Sequence, residues 1–290
     1  MTAEAIGRRA ELAALTTAAR QAVAGSGSVA IVEGDAGIGK THLLGRFERD
    51  AGTLGMAVRR AAAQELERRR PFGSVFDALA SHPGIDDIDR SATEFAIEEA
   101  LLTLLDRTAA GSPVALVIDD LQWADPATIM LVPRLARLVT QLRLLLVLAV
   151  RPPLRPTDVS RLVVALRAAG ARDVPVGPLT EDEVEAIVVD TVGAPPGPSL
   201  SKLLVRAGGS PLFVCQLLAG LQTAGALHVE DDGRVAADDV GMPSSLSAAI
   251  LRRLDQLEPD TVEVLRLAAV LGTSFAVADL GAVSGRRAVD

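Results

Sequence analysis

The chain has 290 residues, of which 49% are hydrophobic and 2% aromatic, with no tyrosine, so its cores must be filled by Leu, Val, Ile and Ala. A formal charge of −8 argues against a nucleic-acid binder in its own right, because phosphate backbones reward clustered positive charge. The single cysteine, Cys215, excludes a disulfide framework and reads as a small buried hydrophobe within Pro211-Leu-Phe-Val-Cys-Gln-Leu-Leu218. Met1-Thr-Ala-Glu-Ala5 has neither the basic start nor the apolar stretch of a signal peptide, and the apolar run Leu144–Val150 is too short to span a bilayer. These features predict a soluble cytoplasmic protein without a membrane partner.

Residues 8–24 read as a helix that ends in the turn Gly25-Ser-Gly27. Ser28-Val-Ala-Ile-Val-Glu33 then has the β-branched character of a buried strand. Residues 34–41 follow as Gly-Asp-Ala-Gly-Ile-Gly-Lys-Thr, a complete phosphate-binding loop, and Thr41-His-Leu-Leu-Gly-Arg-Phe47 opens a helix with Leu43, Leu44 and Phe47 on one face. Lys40 is one of two lysines in a chain with 27 arginines. A compact ammonium slips between phosphate oxygens where a broad guanidinium does not fit. Gly34, Gly37 and Gly39 permit positive φ and close approach of the backbone to anionic oxygens. In such a loop the stretch Gly34, Asp35, Ala36, Gly37, Ile38, Gly39, Lys40, Thr41 and His42 lines a nucleotide. Lys40 reaches the β- and γ-phosphates and the Thr41 hydroxyl ligates Mg²⁺. The His42 side chain reads as an ordinary helix residue. The bland alternative is a glycine-rich turn that only joins strand to helix.

Met56–Ala62 is a second strand, Arg68-Arg-Arg70 a solvated face, and Ala92–Ala109 a helix with Phe95, Ile97, Leu101, Leu102 and Leu105 in its apolar positions. Pro113–Ile118 is a continuous apolar strand ending in Asp119-Asp120. Parallel strands covered on both faces read this way, and their ligand sites lie at the carboxyl ends. Asp119 fits a carboxylate that orients Mg²⁺, and Asp120 one that polarises the attacking water. Two adjacent carboxylates also suit a helix cap or a solvated turn. A helix over Thr128–Leu142, a strand over Arg143–Val150 that ends at Arg151, and an edge strand at Asp173–Gly177 complete a parallel sheet with helices on both faces.

After Pro178 the pattern becomes helical. Thr180-Glu-Asp-Glu183 is a capping box opening a helix to about Thr191, and helices resume over 200–207 and 211–223. Leu227–Val235 resembles a small hairpin turning at Asp232-Gly233. Ser244 onward, with Ile250, Leu251, Leu254 and Leu257, marks a helix, and Val262–Leu271 marks another. The expected organisation is a nucleotide-binding domain over 1–178, a helical lid with a hairpin over 179–240, and the beginning of a further module over 241–290.

Together these residues resemble the signal-transduction ATPases with numerous domains, specifically the large ATP-binding regulators of the LuxR type. The resemblance rests on Gly7-Arg-Arg-Ala-Glu-Leu12, the P-loop, Pro71-Phe-Gly73, Asp119-Asp-Leu-Gln-Trp-Ala-Asp-Pro126 and Gly209-Ser-Pro211. It implies an ASCE/AAA-like P-loop NTPase fold, α/β, whose parallel sheet is flanked by helices and followed by a helical lid and the start of a winged-helix module. Arg8 then belongs to a segment that packs near the adenine, Pro211 contacts the base, and Arg151 stands where the family carries a sensor arginine. The implied ligands are ATP or ADP with Mg²⁺, and the implied role is a switch that slowly hydrolyses ATP to ADP and phosphate. A homo-oligomer is compatible with the resemblance. DNA enters only through a C-terminal helix-turn-helix, which in the family lies far beyond the stretch corresponding to this chain. Asp120 replaces the glutamate of many related ATPases, which predicts slow hydrolysis. Two rival readings are an AAA-type motor that remodels a protein or DNA partner and a binding module with a dead nucleotide site; the intact Lys40, Thr41, Asp119 and Asp120 weigh against the second.

Overall fold

The computed structural model describes residues 7–152, 156–238, 254, 257–271 and 275–285. Five strands, β1 (Ser28–Glu33), β2 (Ala57–Ala62), β3 (Val114–Asp119), β4 (Leu144–Val150) and β5 (Arg172–Pro175), pair in parallel in the order β2-β3-β4-β1-β5. Because every strand runs the same way, their carboxyl ends share one edge, and β4 lies between the strand feeding the P-loop and the strand ending in Asp119. Pro175 sits in β5, an edge strand, where its missing N–H breaks no ladder.

Every residue of β3 and β4 is buried. Their side chains alternate between two layers, as the two-residue period of a strand requires. Val114, Leu116, Ile118, Leu144, Leu146, Leu148 and Val150 pack with α3 (Gly73–Ala78), α4 (Glu94–Gly111), α5 (Pro126–Val139) and α6 (Thr157–Ala168). Ala115, Val117, Leu145, Val147 and Ala149 face the opposite layer of α1 (Arg9–Val23) and α2 (Lys40–Thr53). The small Ala18, Ala19 and Ala22 give α1 a flat buried face.

Two expectations about burial fail. Phe95 is 67% exposed: it is the second residue of α4, ahead of the buried Ile97, Leu101, Leu102 and Leu105. Cys215 is exposed rather than buried: α9 (Pro211–Thr223) turns Val214, Leu217, Leu218 and Leu221 inward, and position 215 falls beside that stripe. Two helices were not anticipated, the six-residue α3 and the longer α6. The latter buries Val159, Leu162, Val163 and Leu166, an i, i+3, i+4, i+7 pattern that the sequence does carry.

α5 begins two residues earlier than the sequence suggests because Asp125 caps it and Pro126 occupies its first position. Asp125 does more than cap. Its buried carboxylate accepts from Thr128 N (2.9 Å) and Thr128 Oγ1 (2.6 Å), and from Phe72 N (2.8 Å) and Gly73 N (3.2 Å). Phe72 adopts φ 56°, in the left-handed region, and these two bonds hold it there. The segments Pro71-Phe-Gly73 and Ala124-Asp-Pro126 are therefore one structural joint.

The chain divides into two units, 1–190 with 208–212, and 191–207 with 213–290. α7 (Glu181–Val192) opens with the anticipated capping box, Thr180 N donating to Glu183 Oε2 at 2.9 Å and Glu183 N to Thr180 Oγ1 at 3.3 Å. The second unit contains α8 (Pro198–Val205), most of α9, and the hairpin β6 (Leu227–Val229) with β7 (Val235–Ala237), which turns through Gly233 at φ 78° as expected. It also holds α10 (Pro259–Leu271) and α11 (Val277–Ser284), which pack on each other. The helix expected from Ser244 lies outside the described residues apart from Leu254 and Leu257, whereas Val262–Leu271 lies within α10.

The Asp125 joint yields a stability prediction. Asp125→Ala leaves buried N–H donors without an acceptor and lowers the unfolding free energy by about 3 kcal/mol in urea denaturation. A loss below about 1 kcal/mol would contradict the shared role, since that is the scale of a helix cap alone.

Candidate nucleotide-binding site

The turn after β1 is closed by backbone constraints before any side chain acts. Gly34 N donates to Val150 O (3.2 Å), tying the loop to the end of β4. A Cβ at Gly34 would stand 2.5 Å from Val176 O, so only glycine fits. Gly37 (φ 75°) and Gly39 (φ 100°) take left-handed backbone that glycine adopts without cost, and Gly39 caps α2. The loop of residues 34–39 thus ends on a 14-residue helix whose N-terminal dipole favours anions.

Lys40, the first residue of α2, is 6% exposed and donates from Nζ to Gly34 O (2.7 Å) and Asp35 O (3.0 Å). Desolvation holds its pKa below the ordinary lysine range; Asp120 pulls it back up, Arg151 pushes it down, and Asp119 and Asp35 raise it. The Asp35 and His42 side chains are exposed, and the Ile38 side chain is buried in the core layer below the loop.

The carboxylates at the end of β3 arrive beside this loop. Asp119 is 1% exposed and its Oδ2 accepts from Thr41 Oγ1 at 2.9 Å, across 78 positions of sequence. The same oxygen accepts from Arg60 Nη2 at 3.2 Å. Asp120 sits at φ 52°, a left-handed conformation uncommon for a residue with a side chain. Its Oδ1 accepts from Gln122 Nε2 (2.8 Å) and lies 3.3 Å from Arg151 Nε. Gln122 is buried, and its Oε1 accepts from Arg151 N (3.3 Å), so one side chain joins Asp120 to the end of β4.

Two further segments bear on the loop. Arg8 is 7% exposed and donates from Nη2 to Ile38 O (2.9 Å) while pairing with Glu11 (3.2 Å); its backbone N donates to Glu183 Oε1 (3.3 Å). From the other direction, Gly37 O accepts from Leu212 N (3.2 Å) and Ser210 Oγ (3.5 Å), and the Pro211 ring lies 3.7 Å from where a Cβ on Gly39 would be. Residues 208–212 belong to the same unit as the sheet. Gly209 is required there: at φ 68° its Cβ would meet Leu179 O at 2.6 Å.

All the sequence-predicted positions therefore gather at one edge of the sheet: the loop 34–42, Thr41 with Asp119, Asp120 with Arg151, and Arg8 and Pro211 against the loop. Sequence reasoning missed Arg60 and Gln122. The first left only the weak signal of two arginines inside a short strand. The second stood in a segment quoted for resemblance without a role of its own. The set fits a nucleotide polyphosphate with a divalent cation: a loop whose backbone calls for glycine at 34, 37 and 39, a buried ammonium holding two carbonyls, and a hydroxyl bonded to a buried carboxylate.

A family model described as an AAA ATPase domain matches residues 4–148, half of the chain. The chain belongs to the AAA ATPase domain family. Solved structures at low identity resemble it in fold. The Aeropyrum pernix ORC2 protein in ADPNP-ADP complexes shares 17% identity at a TM-score of 0.63, covering 93% of this chain and 76% of that one. The Aeropyrum pernix ORC1 protein in complex with DNA shares 17% identity at a TM-score of 0.55 over 97% and 77% of the two chains. Cdc6p from Pyrobaculum aerophilum gives 17% and 0.55 over 80% and 66%. A curated relative, an uncharacterised protein of Rhizobium meliloti strain 1021, is 27% identical over 87% of this chain, which spans 28% of that protein's length.

The depressed Lys40 pKa fixes the sign of a stability effect. Keeping the ammonium buried costs stability at neutral pH, and the cost is relieved as pH rises through the depressed value towards the ordinary lysine range. Lys40→Met therefore raises the calorimetric midpoint of the nucleotide-free chain at pH 7. A lowered midpoint would show that the two carbonyl bonds outweigh desolvation.

Proposed function

We propose that this AAA chain is an ATP-binding switch that hydrolyses slowly, the ATPase part of a LuxR-type transcriptional regulator. The observation that carries the reading is the Thr41–Asp119 hydrogen bond at 2.9 Å, with Lys40 on the same turn. Lys40 exchanges its two loop carbonyls for the β- and γ-phosphates. Thr41 and Asp119 hold Mg²⁺, which supplies charge neutralisation at the phosphates when bound. Asp120 orients water towards the γ-phosphate and takes up its proton, and the Arg151 guanidinium, already on Asp120, offers positive charge to the transferring group.

The regulatory part of the proposal rests on the segment 208–212. Arg8 and Pro211 border the loop from two sides, as a base-binding pair would. Nucleotide that touches Pro211 biases the segment from which α9 departs, and a difference in contacts between two states is what a ligand needs to shift an equilibrium. DNA, in this reading, is bound by a part of the protein beyond these residues, consistent with a charge of −8 here. Assembly into a homo-oligomer and a cytoplasmic location belong to the same proposal.

Equilibrium titration and steady-state turnover test it together. Lys40→Ala weakens ATP binding by about a hundredfold, the scale of losing charge-assisted bonds to two phosphates. Asp120→Asn keeps ATP affinity but lowers hydrolysis at least about tenfold. Turnover of the unmutated chain stays well below about one per second with ADP retained. Faster turnover without ADP retention would favour a motor acting on a partner, and unchanged affinity in Lys40→Ala would remove the site assignment.

A further inference from the structure

We propose that Arg60 is a built-in counter-cation of the Thr41–Asp119 pair and sets how much divalent cation the nucleotide site requires. The inference rests on the nucleotide reading above and adds a residue to it. Arg60 lies mid-strand in β2, next to β3 in the sheet, and is partnered in register with Val117, two residues short of Asp119. Its guanidinium reaches past the strand to the carboxyl edge. There Nη2 donates to Asp119 Oδ2 and to the Thr41 carbonyl, each at 3.2 Å. Nη1 lies 3.6 Å from Glu48 Oε2 on α2. Position 45 of α2, where the side chain crosses, is glycine; a Cβ there would already be at van der Waals distance, 3.5 Å, from Nη1.

The electrostatics give this placement a consequence. Asp119 is 2% exposed at its side chain, and a buried carboxylate needs a compensating charge. The Arg60 guanidinium, 3.2 Å from Asp119 Oδ2, supplies that charge. A dication drawn to the same carboxylate meets a partner already neutralised and a fixed positive neighbour. Arg60 therefore weakens the pull of Asp119 on the cation while holding the Thr41–Asp119 geometry ready. Glu48, 46% exposed, takes part of the guanidinium's charge but is far more screened than Asp119.

Binding of a fluorescent ATP analogue to the full chain, titrated with MgCl₂ from an EDTA-buffered start, tests the proposal without reference to hydrolysis. In Arg60→Gln the half-saturating Mg²⁺ concentration falls on the order of tenfold, while analogue affinity at saturating Mg²⁺ is unchanged. Arg60→Met, which keeps the aliphatic stem, gives the same fall, and Arg60→Lys, which keeps the charge, stays near the unmutated value. An unaltered Mg²⁺ requirement in both uncharged variants overturns the proposal. Weaker analogue binding at saturating Mg²⁺ also overturns it, making Arg60 a phosphate ligand instead. Failure of the nucleotide reading looks different: the unmutated chain binds no analogue, or Lys40→Ala binds it equally well.

Discussion

The hydrogen bond between Thr41 and Asp119 joins the two halves of the site, and its existence depends on strand order. Thr41 is the second residue of the helix after β1, and Asp119 ends β3. These strands are not neighbours: β4 lies between them. A parallel sheet brings their ends to one edge, and the turn after β1 places the Thr41 hydroxyl 2.9 Å from that carboxylate. Disturb the β3-β4-β1 order and Lys40 would still sit on a P-loop, with no carboxylate opposite it.

The carbonyls of the loop are braced from several directions. Gly37 O receives Leu212 N and Ser210 Oγ, Ile38 O receives Arg8, and Gly34 O and Asp35 O receive Lys40. Two sequence-distant segments and the loop's own lysine thus converge on the carbonyls of one turn. Glu183 extends the bracing, since one carboxylate both closes the capping box of α7 and holds the Arg8 backbone. Leu212 N and Ser210 Oγ on Gly37 O tie the loop to the segment 208–212, the contact on which the proposed nucleotide switch draws.

Much of this was legible in the chain because the relevant signals are local. The P-loop spacing, the all-apolar β3 and β4, the capping box at Thr180 and the Asp-Gly turn each follow from a few adjacent residues, and each appears in the structure. What was not legible is long-range or a matter of phase. Arg60 matters only because β2 pairs with β3, a fact that no window of β2 contains. Asp125 reads as a helix cap, yet half of its bonds go to Phe72 and Gly73, about fifty positions earlier. Phe95 and Cys215 lie in apolar surroundings in sequence, yet Phe95 falls in the first turn of α4, ahead of its buried residues, and Cys215 falls roughly 100° from the buried Val214. α6 carried a readable pattern, obscured by the prolines that precede it.

The central claim is that residues from three stretches of chain grip one nucleotide, and amide hydrogen exchange of the full chain with and without ATP and Mg²⁺ addresses it most directly. The account predicts slowed exchange at 34–42, at 119–120 and at 208–212 together, with the same midpoint in nucleotide concentration for all three. Slowing that omits 34–42, or that separates the three stretches into different midpoints, would contradict it.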